Sequence, residues 1–477
     1  MSGLFSSLYT STNALRAHSA ALDIIGRNMA NVNNPAYARQ RIVYGDKGSV
    51  DTPLGSQSLG VEPVAIQQMR DRLIDNQVRE EAANTELLNS QVTYLRQAQT
   101  AIGQGLFGAA GDVDTIGSNP ELPAGISASI DAFFNAWQSF ATKPSDSVNK
   151  QQLIANTDDL INKIQLADRR LADIALPAPA VGNTITGQMD EGARQVNGIL
   201  TTLSELNRQI GRVEIVNPGT AVDLRDQRQA KLEELGKYID YTTVQQTSGQ
   251  IGISVSDGLG GTVALLDLSV VNGTLARNGS NYEWTPTTGP VQAVAFAAGS
   301  LAGYQQVGAT VQGYRDQLDD FVNALVTQVN DAYDNSGANA NGDFFNGANL
   351  TAGTISRTAT AANVVATATG GPSGANDRAL AVAAVARDTG FFNGTPSQSF
   401  TRIVTQVGQD VSNTEARYDD QKALGDLLLT QRDSYGGVSL DEEAADMMRL
   451  QRAYQSSAKM MAVLDELLSE VINTLAR

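Results

Sequence analysis

The string NMANVNNPAYARQR, residues 28–41, marks the end of one kind of secondary structure and the start of another. Apolar residues with helical spacing precede it, and Pro35 disfavours the α conformation for the residue before it. The run YARQRIVY, residues 37–44, contains several residues that favour extended strands. The sequence therefore predicts a helix that stops at Asn34–Pro35 and continues into a strand.

The N-terminal segment carries apolar side chains at alternating steps of four and three residues. This narrow spacing is that of a coiled-coil seam, in which one stripe of side chains faces a partner helix. The apolar seam positions are Leu4, Leu8, Leu15, Leu22, Ile25 and Met29. His18, the single histidine, falls on the same stripe, where a polar residue commonly sets the register of the pair.

The C-terminal segment repeats this pattern on a helix expected from Ser439 to Leu475. Ser439 is a good N-cap, Glu442 completes a capping box, and acidic residues in the first turn complement the helix dipole. Its seam positions are Met447, Leu450, Tyr454, Met461, Leu464, Leu468, Val471 and Leu475. We expect the two terminal seams to pair. The pattern leaves open whether they close a bundle within one chain or become ordered mainly among neighbouring copies, since so short an isolated pair is weak.

The residues between the two ends alternate helical segments with one β-rich stretch. Residues 241–304 contain short runs of β-forming residues separated by Gly- and Asn-rich turns, and helix is expected to resume at about residue 310. One earlier helix has the aromatic anchors Phe133, Phe134, Trp137 and Phe140. The expected fold is mainly α with a smaller β insertion. The predicted domains are a terminal coiled-coil inner domain (1–35 plus 439–477), a long-helix middle domain (36–240 plus 305–438) and an outer antiparallel β domain (241–304).

The composition argues against several classes of function. The 477 residues include 34 Lys and Arg against 51 Asp and Glu, and the net charge of −17 argues against binding to nucleic acid or to an anionic membrane surface. Without cysteine, the chain has no disulfide, thiolate metal site or cysteine nucleophile. No apolar run approaches the ~18 residues of a membrane span, and the N-terminus lacks the features of a cleavable signal peptide. We therefore expect no nucleic-acid partner and no membrane insertion.

No motif indicates catalytic, metal-binding or cofactor-binding chemistry. GLGGTV (258–263) runs into another strand and indicates a hairpin turn rather than a dinucleotide loop. GANANGDFFNGA (337–348) lacks the acidic residue that would complete a calcium loop. Adjacent acids such as Glu442 and Glu443 point about 100° apart on a helix, which favours a solvated face. The sequence therefore predicts no catalytic residue, no cofactor and no metal, while acids brought together by folding stay open.

Two terminal motifs resemble those of the flagellar axial proteins, which comprise the rod, hook and hook-associated proteins. ANVNNPAYARQ (30–40) is similar to their N-terminal turn motif, and SLDEEAADMMRLQRAYQSSAKMM (439–461) is similar to their C-terminal motif. Internal segments narrow the resemblance to the family of hook-associated protein 1, which forms the hook–filament junction. These segments are LGVEPVAIQQMRDRLIDNQVREEAANTELL (59–88), FFNAWQSFATKPSDSVNKQQLI (133–154), AVDLRDQRQAKLEELGKYI (221–239) and VNDAYDNSGANANGDFF (329–345).

The resemblance implies a structural protein without enzymatic activity. Such a protein is exported through the flagellar secretion channel without a cleaved signal peptide, and it is added outside the cell as a ring on the completed hook. The implied partners are hook protein, the second junction protein on the filament side, further copies of the chain, and an export chaperone on the C-terminal helix. The residues that match the family's turn motif are Asn31, Asn33, Asn34, Pro35, Tyr37, Arg39 and Gln40.

Three other interpretations stay open on the sequence. A protein like hook-associated protein 3 shares the terminal pattern but is usually much shorter, and the segment 221–239 argues against it. A hook or distal rod subunit shares the N-terminal motif but usually devotes its middle to β domains. A cell-wall hydrolase would need a cleft with convergent acids, and no motif indicates one.

Overall fold

The structure is a computed structural model, and it describes most of the chain. The described ranges are 2–52, 55–103, 125–176, 184–215, 218–334, 342–368, 371–372, 374–392 and 394–475. The side chains of residues 2–5, 50–52, 57 and 475 lie outside this description.

Helices dominate the described residues. They are α1 (Ser2–Ala30), α2 (Arg72–Ile102), α3 (Ile126–Thr142), α4 (Ser147–Ala172), α5 (Ile185–Glu214), α6 (Val222–Gly236), α7 (Ser300–Asp334), α8 (Asp377–Val385), α9 (Pro396–Gly436) and α10 (Leu440–Leu475). The predominance of helix confirms the fold class expected from the sequence.

The strands of the described residues form two groups. Near the N-terminus, β1 (Gln40–Asp46) pairs antiparallel with β4 (Val61–Gln68), and β2 (Ser49–Thr52) pairs antiparallel with β3 (Gly55–Ser58). The second group comprises β5 (Thr242–Gln245), β6 (Ile251–Ser256), β7 (Thr262–Asp267), β8 (Val270–Val271), β9 (Gly273–Asn278), β10 (Asn281–Pro286) and β11 (Gln292–Val294). It makes one sheet of order β5-β6-β7-β8 and another of order β11-β10-β9.

Helix α2 is central to the helical body. It packs along α9 and α7 and also contacts α4 and α6. Its buried face carries Val78, Leu87 and Leu95, and burial of each such side chain contributes about 1.5–3 kcal/mol. Helix α7 approaches α2 closely at Gly303, where a Cβ atom would lie 2.6 Å from the carbonyl oxygen of Leu87. The spacing of α7 and α2 therefore requires glycine at this position.

An aromatic cluster fixes α3 against α7. Trp137 is fully buried, and its ring centroid lies 5.9 Å from that of Phe140 on the same helix. The rings of Tyr333 on α7 and of Phe344 lie 5.8 Å and 4.9 Å from it, each edge-on. Such pairs attract each other beyond the burial of their surface. The anchors that the sequence predicts and that α3 buries are Phe133, Phe134, Trp137 and Phe140.

The second group of strands is bound to helix α5. The Asn197 side chain on α5 donates to the backbone oxygen of Leu275 at 2.9 Å and accepts from its N–H at 2.8 Å. Arg277 on β9 forms an ion pair with Asp190 on α5 at 2.8 Å. These strands lie within residues 242–294, and the division of the chain into three domains stays a prediction.

Helix α7 begins at Ser300, nearly three turns before the expected start near residue 310. The glycines at 303 and 308 lower the helix propensity of this segment. Tertiary packing compensates, because Leu301 is fully buried and both glycines lie in close contact with neighbouring elements. The predicted domain boundary between 304 and 305 therefore falls inside a helix.

We expect Trp137→Ala to destabilise the helical body by about 3–5 kcal/mol, because the cavity removes ring contacts from four aromatic neighbours. Urea unfolding followed by circular dichroism measures the change. Leu259→Ala is the matched control, since Leu259 is 91% exposed and its loss changes stability by less than about 0.5 kcal/mol. Equal unfolding midpoints for the two variants would contradict the assignment of the core.

Candidate assembly interface

Helix α1 lies between α10 and the hairpin of β1 and β4. On one side, the Thr12 hydroxyl donates to the Met461 sulfur on α10 at 3.7 Å. On the other side, the Asn13 amide donates to the backbone oxygen of Leu59 at 3.1 Å and accepts from the Lys47 ammonium at 3.3 Å. The two ends of the chain therefore meet, as the paired seams predict, but a hairpin completes the arrangement.

The seam positions differ in how far the single chain covers them. Ile25 and Leu464 are buried. The half-buried seam residues are Leu8, Leu15, Leu22, Met29, Met447, Leu450, Met461 and Leu468, while Tyr454 and Val471 are exposed. The side chains of Leu4 and Leu475 lie outside the described residues. Pairing of α1 with α10 thus covers only part of the stripe that the sequence identifies.

The most deeply buried face of α1 is not the predicted seam. It carries Asn13, Ala17, Ala21, Ile24 and Asn28. The hydrogen bonds of the first and the last of these residues reach the backbone of the hairpin region. Small side chains at steps of about four residues let the hairpin approach α1 closely. The heptad pattern does not identify them, because it selects large apolar residues.

Helix α10 exposes apolar side chains beyond its seam. They are Leu440, Met448, Met460, Val463, Leu467 and Ile472. Exposed apolar residues on a single surface are common, but several on one helix indicate an interaction surface. The single chain therefore leaves both a partly covered seam and further apolar side chains of α10 accessible.

A corner network joins the end of α1 to the start of α10; it consists of Asn28, Tyr37, Arg39, Gln40 and Glu443. Asn28 is 1% exposed. Its amide nitrogen donates to the Gln40 backbone oxygen and to Glu443 Oε2, both at 3.0 Å. Its amide oxygen accepts from the Gln40 N–H at 3.0 Å and from the Tyr37 hydroxyl at 2.9 Å. All four hydrogen-bonding positions of this amide are satisfied.

Arg39 binds the first turn of α10. Its Nε donates to Glu443 Oε1 at 2.7 Å, and its Nη1 donates to Glu442 Oε2 at 2.9 Å. The Arg39 backbone N–H also donates to the Gly436 carbonyl at 2.9 Å. Glu443 is 1% exposed, so the expectation that both acids lie on a solvated face is wrong for this residue. The short break between α9 and α10 places Glu443 against a turn that lies far away in the sequence.

The remaining residues of the turn motif shape the backbone between α1 and β1. α1 ends at Ala30, before the expected stop at Asn34. The Asn31 side chain donates to the Arg27 carbonyl at 2.9 Å, and Asn34 Oδ1 accepts from the Ala36 N–H at 3.2 Å. The Pro35 carbonyl accepts from Arg432 on α9 at 3.2 Å. Asn33 is exposed.

The corner also contacts α6. Gln40 Nε2 donates to Asp223 Oδ1 at 3.0 Å. Arg70 donates to Asp226 Oδ1 at 2.7 Å and to the Ala36 carbonyl. Burial raises the pKa of the Asp226 carboxyl, against the opposing charge of Arg70. These bonds connect the terminal pair to the helical body.

Burial of the Tyr37 hydroxyl, together with the nearby Asp226 charge, raises the pKa of Tyr37 well above its usual range. The hydroxyl therefore stays protonated near neutral pH and keeps its role as a donor to Asn28.

The sequence identified Tyr37, Arg39 and Gln40 as motif residues but did not identify their partners. Asn28, the first residue of the quoted string, is the centre of the network, and Glu443 is its C-terminal member. A buried amide is not distinguishable from an exposed one by heptad spacing. The sequence feature that could have pointed to this contact is the polar stretch near each end of the chain, at residues 28–41 and 439–443.

The remaining candidates from the sequence are the single histidine, possible metal ligands, membrane-spanning helices and the glycine-rich string. His18 is half-buried, and its buried Nδ1 has no hydrogen-bond partner among the described residues. Within the described ranges, no three His, Asp or Glu side chains come together as potential metal ligands. No helix in the described part of the chain combines the length and apolar character needed to cross a membrane. Part of the glycine-rich string 337–348 lies outside the described residues.

Comparison with known proteins gives consistent matches. A family profile described as "Flagellar hook-associated protein FlgK helical domain" matches residues 111–350, just over half of the chain. A second, described as "Flagellar basal body rod FlgEFG protein C-terminal", matches residues 434–475. These residues include all of α10 and the end of α9.

Individual relatives agree with these profiles. Flagellar hook-associated protein 1 of Bacillus subtilis is 25% identical, and the alignment covers 99% of each chain. Its counterpart in Salmonella typhimurium is 23% identical over 52% of this chain and 40% of its own length. The structure of the flagellar hook junction protein FlgK from Burkholderia pseudomallei matches 75% of this chain and 100% of that chain, with a TM-score of 0.61 and 13% identity. That match shows a shared fold.

We expect Glu443→Ala to loosen the start of α10. The substitution leaves donors of Asn28 and Arg39 without their acceptor, at a cost of about 1–3 kcal/mol. Hydrogen exchange of the amides of residues 443–450 measures the change, which should be about tenfold or more in rate.

Arg449→Ala is the matched control for this test. Arg449 lies on the same helix, its side chain is 77% exposed, and its ion pair is with Asp446 one turn away. Comparable exchange rates in the Glu443 and Arg449 variants would show that the corner network does not hold α10.

Proposed function

The chain belongs to the family of flagellar hook-associated protein FlgK, and from this premise we propose that it is a structural subunit of the junction between hook and filament. The observation that supports an assembly role is the incomplete burial of the terminal helices. A half-covered seam on α1 and α10, with further exposed apolar side chains on α10, suits a subunit that completes its core with neighbouring copies.

The arrangement in the assembled junction follows the same premise. The inner domain (1–35 plus 439–477) would line a tube, the middle domain (36–240 plus 305–438) would surround it, and the outer domain (241–304) would face the exterior. The corner network supports this division, because it is where α1 ends and the chain enters the hairpin. The hairpin, with its contacts to α1 and through Gln68 to the Val222 carbonyl at 2.8 Å, would brace the inner and middle domains.

Four partners are part of the proposal. They are hook protein, the second junction protein on the filament side, further copies of the chain in a ring, and an export chaperone on the C-terminal helix. The exposed apolar side chains of α10 support the last two, since a chaperone would cover before export the surface that neighbouring copies cover after assembly. The proposed position is extracellular, reached through the flagellar secretion channel without a cleaved signal peptide, and the proposed role is structural rather than enzymatic.

The alternatives differ in where the protein would lie. Immunogold labelling of intact flagella with an antibody against the strands of residues 242–294 should give one band between hook and filament. Label on the rod or along the hook would identify another axial subunit and overturn the proposal. Flagella from a deletion strain are the control for antibody specificity.

Removal of α10 separates assembly from folding. We expect a chain that ends at residue 439 to be absent from purified flagella, because it lacks the C-terminal half of the seam. Its body should stay folded, since the aromatic cluster around Trp137 contains no residue of α10. Assembly is measured by the presence of filaments on the deletion strain, and folding by tryptophan fluorescence. Filaments of normal number with the shortened chain would refute the role of the terminal pair.

A further inference from the structure

Five arginines line one cleft of an acidic protein. The cleft has a volume of about 330 Å³ and lies where the start of α2, helix α6 and strands β5 and β6 meet. Its charged side chains are Arg70, Arg72, Arg79, Arg225, Arg228 and one carboxylate, Asp75. The chain as a whole has a net charge of −17, so the positive charge of this cleft is opposite in sign to that of the whole chain.

Two of these arginines are neutralised by carboxylates of the chain. Arg225 binds Glu214 through two hydrogen bonds, of 2.7 Å from Nε and 2.6 Å from Nη2. Arg70 pairs with Asp226 at 2.7 Å and with Asp75 at 3.2 Å. Arg70 Nε and Asp226 Oδ2 are both buried without a hydrogen-bond partner among the described residues.

Arg228 is a buried cation without a carboxylate partner. It is 7% exposed, and its Nη1 donates to Asn207 Oδ1 at 3.1 Å and to the Gly249 carbonyl at 2.7 Å. No carboxylate of the described residues lies within ion-pair distance of it. Burial, followed by the charge of Arg225, lowers the pKa of Arg228 to about 10. Removing a guanidinium from water is costly unless an anion compensates it.

Arg72 and Arg79 add two more cations at the cleft. Arg72 is exposed, and none of the described carboxylates pairs with it. Arg79 donates to Asn76 Oδ1 at 2.7 Å, and its guanidinium carbon lies 5.1 Å from the centre of the Tyr241 ring. Neither contact supplies a negative charge. Three guanidinium groups around one volume therefore form no ion pair with a carboxylate of the described residues, although the charge of Glu214 acts on Arg228 from a greater distance.

We propose that this arginine cleft is a binding site for an oxyanion, carried as a carboxylate or a phosphate group. Guanidinium forks bind both groups through paired, charge-assisted hydrogen bonds. The volume suits a small polyanion or one or two acidic side chains. An occupant would bridge α2, α6 and the β5–β6 sheet, and so would fix the sheet against the helical body. The site is independent of the proposed role at the hook–filament junction.

The test uses the full chain and two sources of the same chemistry. In the first arm, inorganic phosphate and citrate are titrated at constant ionic strength, with calorimetry and thermal unfolding as readouts. We expect saturable binding and a raised Tm in the parent protein. Each of Arg72→Gln and Arg79→Gln should weaken binding by about tenfold or more, the cost of one charge-assisted hydrogen bond.

The second arm tests acidic side chains of another copy as the source. Sedimentation at low salt should then show self-association of the parent chain that Arg72→Gln reduces. Arg387→Gln is the control in both arms, since Arg387 is exposed at the end of α8, away from the cleft. Because Arg72 contacts no described carboxylate, its variant should fold normally.

A loss of anion binding or of self-association that is specific to the cleft variants supports the site. The arm in which the loss occurs identifies where the oxyanion comes from. The proposal is overturned if neither anion binds and no Arg72-dependent association occurs, or if Arg387→Gln has the same effect as Arg72→Gln.

Discussion

The buried carboxylate of Glu443 is the point on which the arrangement of the two chain ends depends. A carboxylate withdrawn from water is stable only when cations or donors satisfy both oxygens. Here Arg39 binds one oxygen and Asn28 the other. Both partners come from the first tenth of the chain, so the start of α10 has one position relative to the end of α1. Together with the contact between Thr12 and Met461 further along the pair, that position sets the direction of the helix.

The rest of the terminal pair is held less tightly than the corner. Along α1 and α10 the seam side chains are mostly half-buried, and apolar side chains of α10 remain exposed. Two helices in such partial contact gain little from each other, because most helical stability comes from packing on an apolar face. A polar corner that fixes direction, next to an apolar surface that is left incomplete, gives the subunit a defined shape and a surface still available for neighbours.

Those parts of the fold that depend on residues close together in the sequence were predictable. Heptad spacing gave the two terminal helices, alternating β-formers gave the strands of residues 242–294, and the aromatic run on α3 gave a true core. Contacts between distant residues were not predictable in the same way. Glu443 resembles any first-turn acid until the turn after α1 lies against it, and Ala17 and Ala21 resemble flanking residues until the hairpin covers them. The start of α7 was misplaced for the same reason, since glycine lowers local propensity while close packing against α2 requires it.

A polar network at the corner also explains why an apolar contact would not serve equally well. An apolar replacement could bury as much surface and be as stable, but a shifted register would cost it little. A shift of α10 by one residue would withdraw Glu443 from both Asn28 and Arg39, and would leave a buried donor of Asn28 and a buried carboxylate unsatisfied. The same network continues through Gln40 to Asp223 and lies beside the pair of Arg70 and Asp226. Because Arg70 binds the Ala36 carbonyl and also lines the arginine cleft, the stretch of chain before α2 contacts both the turn after α1 and the cleft beside the β5–β6 sheet.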